Sequence, residues 1–122
     1  MKVLRLYADE KGESHLDSVE ISLTLQEFAP PAAPLYITEA QAASRFVVVQ
    51  LPVAWGGGTP HPTPGRQMLF CLSGSFQVTS SDGDSRPVST GEALLMTDTT
   101  GKGHSTAVTS DIPVTAVMIR LE

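Results

Sequence analysis

The chain has 122 residues, 13 acidic against 8 basic side chains, and a net charge of −5. That length supports one domain, able to bury about two-thirds of the surface of its unfolded form. Lysines and arginines are scattered singly, which gives a nucleic-acid backbone no track to follow and excludes that partner class; acidity of this size keeps a chain soluble and says little about a substrate.

The amino terminus, Met1-Lys2-Val3-Leu4-Arg5-Leu6-Tyr7, threads charge through its apolar residues, unlike a secretory leader. No stretch approaches the roughly 18 apolar residues of a membrane span. Along the chain, short β-rich runs are predicted over 3–7, 19–25, 45–51, 68–72, 75–79, 93–97, 105–109 and 114–121. Turn residues separate them: Ser73-Gly74, Asp82-Gly83-Asp84, Thr90-Gly91 and Gly101-Lys102-Gly103. Such spacing predicts an all-β sandwich or barrel.

Two segments depart from the strand pattern. Ala29-Pro30-Pro31-Ala32-Ala33-Pro34 lacks three amide donors and is expected to cross the surface as an extended connection. Residues 39–44 are expected to form one helical turn. With no repeat and no charge block, the expected organisation is one structural domain. Residues 1–44 supply N-terminal strands and a Pro-rich extended segment packing on a barrel of 45–122. The single cysteine, Cys71, lies between Phe70 and Leu72 and has no internal disulfide partner, so a reduced core residue in a cytoplasmic protein is expected.

Two stretches can carry chemistry. In "HPTPGRQMLFCLSG", residues 61–74, side chains two apart share a face, so Gln67, Leu69 and Cys71 point one way and Met68, Phe70 and Leu72 the other. A strand inward on the Gln67 side starts polar at a cavity mouth and turns apolar as it descends. Taken alone, His61 also reads as a solvated loop residue beside prolines. In "TGEALLMTDTTGKGHSTAV", residues 90–108, a buried strand leads into a polar glycine-hinged loop that delivers His104 onto the next strand, where it shares a face with Thr106 and Val108. Gly101-Lys102-Gly103 lacks P-loop spacing and a following helix, and Gly56-Gly57-Gly58 is no stronger as a phosphate cradle. Asp98 either touches the site or caps its own threonine-rich turn. Lys102, at the rim, can steer an anionic ligand. Glu92 reads as a turn residue, Arg66 as a surface residue, and Trp55 as core or dimer contact.

The paired stretches resemble the cupin superfamily. Its first motif runs Gly, five residues, His-x-His, three or four residues, Glu, six residues, Gly; its second runs Gly, five residues, Pro-x-Gly, two residues, His. Here His61, Thr63, Gln67 and Gly74 reproduce the first spacing, Gly101 and His104 reproduce the end of the second, and the hairpin at Asp82-Gly83-Asp84 lies between them. The resemblance covers roughly residues 55–120 and implies an all-β double-stranded β-helix, a jelly-roll barrel of the cupin type with an extended N-terminal segment. It also implies a divalent ion (Fe, Mn, Ni or Zn) on His61, Gln67 and His104, with Thr63, Asp98 and Lys102 near a ligand. Thr63 stands where the second histidine would be, Gln67 replaces the glutamate, and Thr99 replaces the proline, with two extra residues separating it from Gly91. A hydroxyl and an amide bind cations as neutral dipoles, so weaker metal binding than in a complete site is expected.

Three functions follow from this resemblance. One is a divalent-metal-dependent enzyme of dioxygenase, isomerase or lyase type. The second is a metal-free small-molecule binding protein, or an enzyme using a histidine as acid or base. The third is a dimeric structural module. A homodimer is compatible with all three, pairing through exposed sheet edges and the run 3–7.

Overall fold

The computed structural model describes residues 1–56 and 58–122; Gly57, and with it the Gly56-Gly57-Gly58 cradle reading, lies outside the described residues. The described chain is all β. Its strands are β1 (Lys2–Ala8), β2 (Ser14–Glu20), β3 (Thr24–Gln26), β4 (Leu35–Ile37), β5 (Ala43–Leu51), β6 (Gln67–Ser73), β7 (Ser75–Ser80), β8 (Ser85–Ser89), β9 (Ala93–Met96), β10 (His104–Val108) and β11 (Val114–Leu121). Among the described residues no helix is long and apolar enough to cross a membrane.

A six-stranded sheet has the order β2-β1-β9-β6-β11-β5, a three-stranded sheet the order β10-β7-β8, and β3 and β4 form a separate hairpin. The sheets are not closed into a barrel: β2 and β5 are the outer strands of the large sheet, β10 and β8 those of the small one. All pairings are antiparallel except β1 with β9, in the register Leu4↔Leu94. Period-2 alternation sets what faces inward. On β6 Gln67, Leu69 and Cys71 are buried, while Phe70 and Leu72 are exposed. Leu6, Leu69, Leu94 and Ala116 from the large sheet meet Phe76, Val78, Val88 and Val108 from the small one. Each fully buried side chain of the Val, Leu or Phe kind stabilises the fold by about 1.5–3 kcal/mol. Cys71 is a free, buried thiol in this layer, and burial pushes its pKa up.

Several expectations are corrected. The second strand runs over Ser14–Glu20 rather than 19–25, because each of its residues pairs with β1, from Lys2↔Glu20 to Ala8↔Ser14. That pairing sets Arg5 directly opposite Asp17, bonded through Nε at 2.8 Å and through Nη2. The run 3–7 is no free edge: β1 is hydrogen-bonded to β2 on one side and β9 on the other. The proline segment turns back on itself, since the Ala32 amide donates to the Ala29 carbonyl at 2.9 Å and the two central prolines have no amide to satisfy. Residues 39–42 form no helix; the Glu122 amide bonds the Ala42 carbonyl at 3.0 Å and draws the chain into the β5–β11 ladder. A strand not expected, β8, carries Pro87 and is tolerated because it is the outer strand of the small sheet.

Candidate functional site

Between the two sheets lies a cavity of about 380 Å³, within the size range of small-ligand pockets. Its floor is apolar, with Leu69 and Leu94 from the large sheet and Phe76 from the small one; Val47 and Val49 of β5 form one wall. Its rim is polar. It is built where the segment joining β5 to β6 is tied to the loop that leads into β10.

That tie is made of backbone. The His61 amide donates to the His104 carbonyl at 3.1 Å, and the His104 amide donates back to the His61 carbonyl at 3.1 Å. The approach demands glycine at 103, whose φ is +73° and where a β-carbon would run into the His61 carbonyl. Two residues on, the Thr63 amide donates to the Asp98 carbonyl at 3.0 Å. The imidazoles of His61 and His104 thereby lie with their centroids 5.1 Å apart and their planes at 56°, both on the cavity.

Behind them sits Asp98, which is fully buried and does not line the cavity. Its Oδ1 accepts from the Thr63 hydroxyl at 2.6 Å and its Oδ2 faces His104 Nδ1 at 2.6 Å. A carboxyl oxygen accepting at Nδ1 places the ring proton there, and the other nitrogen, Nε2, is left for the cavity. The His61 Nδ1 lies 3.1 Å from the Pro62 carbonyl, which likewise can only accept. Gln67, buried at the head of β6, directs Nε2 at the Met96 sulfur at 3.6 Å.

The structure therefore brings together His61, Thr63, Gln67, Asp98 and His104. It does not bring Lys102 to them: that side chain is exposed and ion-paired to Glu13, across the β1–β2 turn. Glu92 accepts from the Ser89 amide at 2.8 Å within its own turn. Trp55 lines the cavity while remaining partly exposed. Sequence reasoning missed Arg120, which lines the cavity from β11 directly opposite Gln67. Its signal was the inward series Val114, Ala116, Met118, Arg120, a period-2 apolar stripe ending in a cation.

A cation in this cavity would meet two imidazoles and one amide. Asp98 is behind His104 with both oxygens engaged, and the Thr63 hydroxyl donates to it. Among the described residues no group of three or more His, Cys, Asp or Glu side chains is arranged to hold a metal ion. All three donors are neutral, no carboxylate among the described residues lines the cavity, and Arg120 adds a positive charge to its wall, so this donor set fits a resident dication poorly.

No family model matches the chain, and no curated protein matches it. Among solved structures it is similar to protein NMB1881 from Neisseria meningitidis, with 26% identity over 63% of this chain and 72% of that one and a TM-score of 0.46. It is also similar to the conserved SPY1581 protein of unknown function from Streptococcus pyogenes, with 21% identity over 70% of this chain and 69% of that one and a TM-score of 0.47.

Proposed function

We propose that the chain is a cupin-like, jelly-roll protein that holds a small molecule in the cup between its sheets, without a resident metal. The observation that carries this reading is the convergence of two imidazoles, 5.1 Å apart, on the polar rim of an apolar cavity of about 380 Å³. An apolar body would fill the floor, and a polar head would meet His61, Gln67 and His104. Asp98 holds the His104 ring in place with a ring nitrogen free to accept a proton, the arrangement a general base needs, so turnover of a bound ligand is within its chemistry.

The test joins two measurements. A thermal-shift screen of small molecules is expected to yield a saturable ligand whose effect disappears in Ala116→Met, which grows a side chain from the cavity wall. Elemental analysis of protein purified without added metal is expected to be blank. A stoichiometric Fe, Mn, Ni or Zn ion that is lost in the His61→Ala/His104→Ala double variant would overturn the metal-free reading. It would favour the dioxygenase, isomerase or lyase alternative.

The outer strand β5 supports a homodimer. Its far edge has no partner among the described residues, and Phe46 and Val48 are 69% and 60% exposed. An apolar open edge of nine residues is the kind that a second copy pairs with around a two-fold axis. Light scattering after size exclusion is expected to give twice the monomer mass, and Val48→Lys to give the monomer.

A further inference from the structure

The cavity is lined by two histidines, an arginine and two threonines, and among the described residues no carboxyl group lines it. The arginine is the anomaly. Arg120 Nε is buried with no hydrogen-bond partner, and Arg120 takes part in none of the ion pairs of the described residues. A guanidinium nitrogen out of water and unpaired is costly, and folded proteins leave few such groups.

Its surroundings make the cost worse. Arg120 stands directly opposite Arg45 in the β11–β5 ladder, and the two line a hollow beside the cavity mouth. Directly opposed like charges on a sheet repel. This happens in a chain with five more acids than bases, in which Arg5, Arg86 and Lys102 all have carboxylate partners. The fold also makes room for the guanidinium: a β-carbon at residue 65 would lie 2.6 Å from Arg120 Nη1, and glycine stands there without any need of a positive φ.

We infer that the ligand of the cup is an anion, a carboxylate on an apolar body, whose two oxygens are received by Arg120 at the mouth while its body lies on the Leu69–Leu94–Phe76 floor. A carboxylate matches the fork of one guanidinium through paired, charge-assisted bonds. It supplies the counter-charge that the Arg120 guanidinium lacks and offsets the Arg45–Arg120 repulsion. The inference rests on the cup being a ligand site and adds the chemical class of what enters it.

The test uses matched probes, octanoate with 1-octanol and benzoate with benzyl alcohol, titrated while the fluorescence of Trp55, the only tryptophan and a cavity residue, is followed. At least one acid is expected to bind roughly ten- to a hundredfold more tightly than its alcohol, the range of charge-assisted hydrogen bonds. Arg120→Gln is expected to abolish that preference, so that the acid and its alcohol bind the variant about equally. Gly65→Ala displaces the flexible end of Arg120 without touching its charge and is expected to reduce the preference too, which guards against a folding defect in Arg120→Gln. Acids and alcohols binding equally, or an acid preference that survives both variants, would overturn the carboxylate assignment while leaving the cup intact. Binding of none of the four probes would remove the cup as a ligand site, and the assignment with it.

Discussion

Asp98→Asn removes the least from the site while changing its chemistry most. The amide is the same size and keeps one carbonyl oxygen, so it can accept from Thr63 or from His104 but not from both, as the carboxyl group does at 2.6 Å each. With its oxygen on Thr63, the amide nitrogen faces His104 Nδ1 and donates to it, which moves the ring proton to Nε2. If the ring does not switch, a buried donor is left unsatisfied, at a cost of about 1–3 kcal/mol. For a chain of 122 residues, where 1 kcal/mol corresponds to about 4 °C, the melting temperature then falls by about 4–12 °C. Calorimetry reads that fall, and nitrogen-15 shifts of the His104 ring read which nitrogen holds the proton. Wild type is expected to carry it on Nδ1; the variant is expected either to carry it on Nε2 and melt near wild type, or to keep it on Nδ1 and show that fall. A variant that melts within about 1 °C of wild type with the same ring nitrogen protonated would show that Asp98 does not set the orientation of His104.

Two further outcomes follow from the structure. His15 lies between Asp9 and Asp82, at 2.8 and 2.9 Å. The hydrogen bond it donates to Asp9, then that to Asp82, raises its pKa above 6.5, so the stability it contributes is complete below 6.5 and is lost as pH rises through the raised value. The pKa of Asp9, lowered chiefly by His15, and that of Asp82, lowered chiefly by Ser80, contribute stability above 3.8 that is lost as pH falls. Melting temperature against pH should therefore show a plateau between these limits. In His15→Gln the decline on the alkaline side should vanish; identical curves would refute the pairing. Gly103→Ala and Gly83→Ala both impose a positive φ on a side chain, +73° and +91°, but only at 103 does the new carbon meet backbone. Each is expected to lose about 1–2 kcal/mol for the left-handed conformation, with Gly103→Ala losing more by denaturant midpoint; equal midpoints would mean that the His61–Gly103 approach is not tight.

Much of this was legible in the residues. The period-2 reading of β6 separated Gln67, Leu69 and Cys71 from Met68, Phe70 and Leu72, but both sets are apolar beyond Gln67, so the choice of the inward face came from the packing. The strand β2 was obscured because SHLDSVE is largely polar, and its stability comes from cross-strand partners such as Arg5–Asp17 that are visible only once register is known. Pro87 hid β8, since the sequence does not say which strand will lie at an edge. At the site, the motif spacing singled out His61 and His104, yet nothing local distinguishes Asp98 as the residue behind His104 from Lys102, whose partner Glu13 is 89 positions away. Arg120 lay at the end of a stripe that reads as core, so its charge was easy to discount.

The open edge of β5 also bears on how the protein behaves when crowded. Phe46 to Leu51 is a six-residue stretch of β-branched and aromatic character, uncharged and free of proline and glycine, the composition that stacks into fibrils. Arg45 stands immediately before it and Pro52 immediately after, a charge and a ladder-breaker in the positions where gatekeepers sit. Arg45 thus carries a consequence independent of any guest: its charge, like the missing amide of Pro52, disfavours copies of the chain stacking along this stretch.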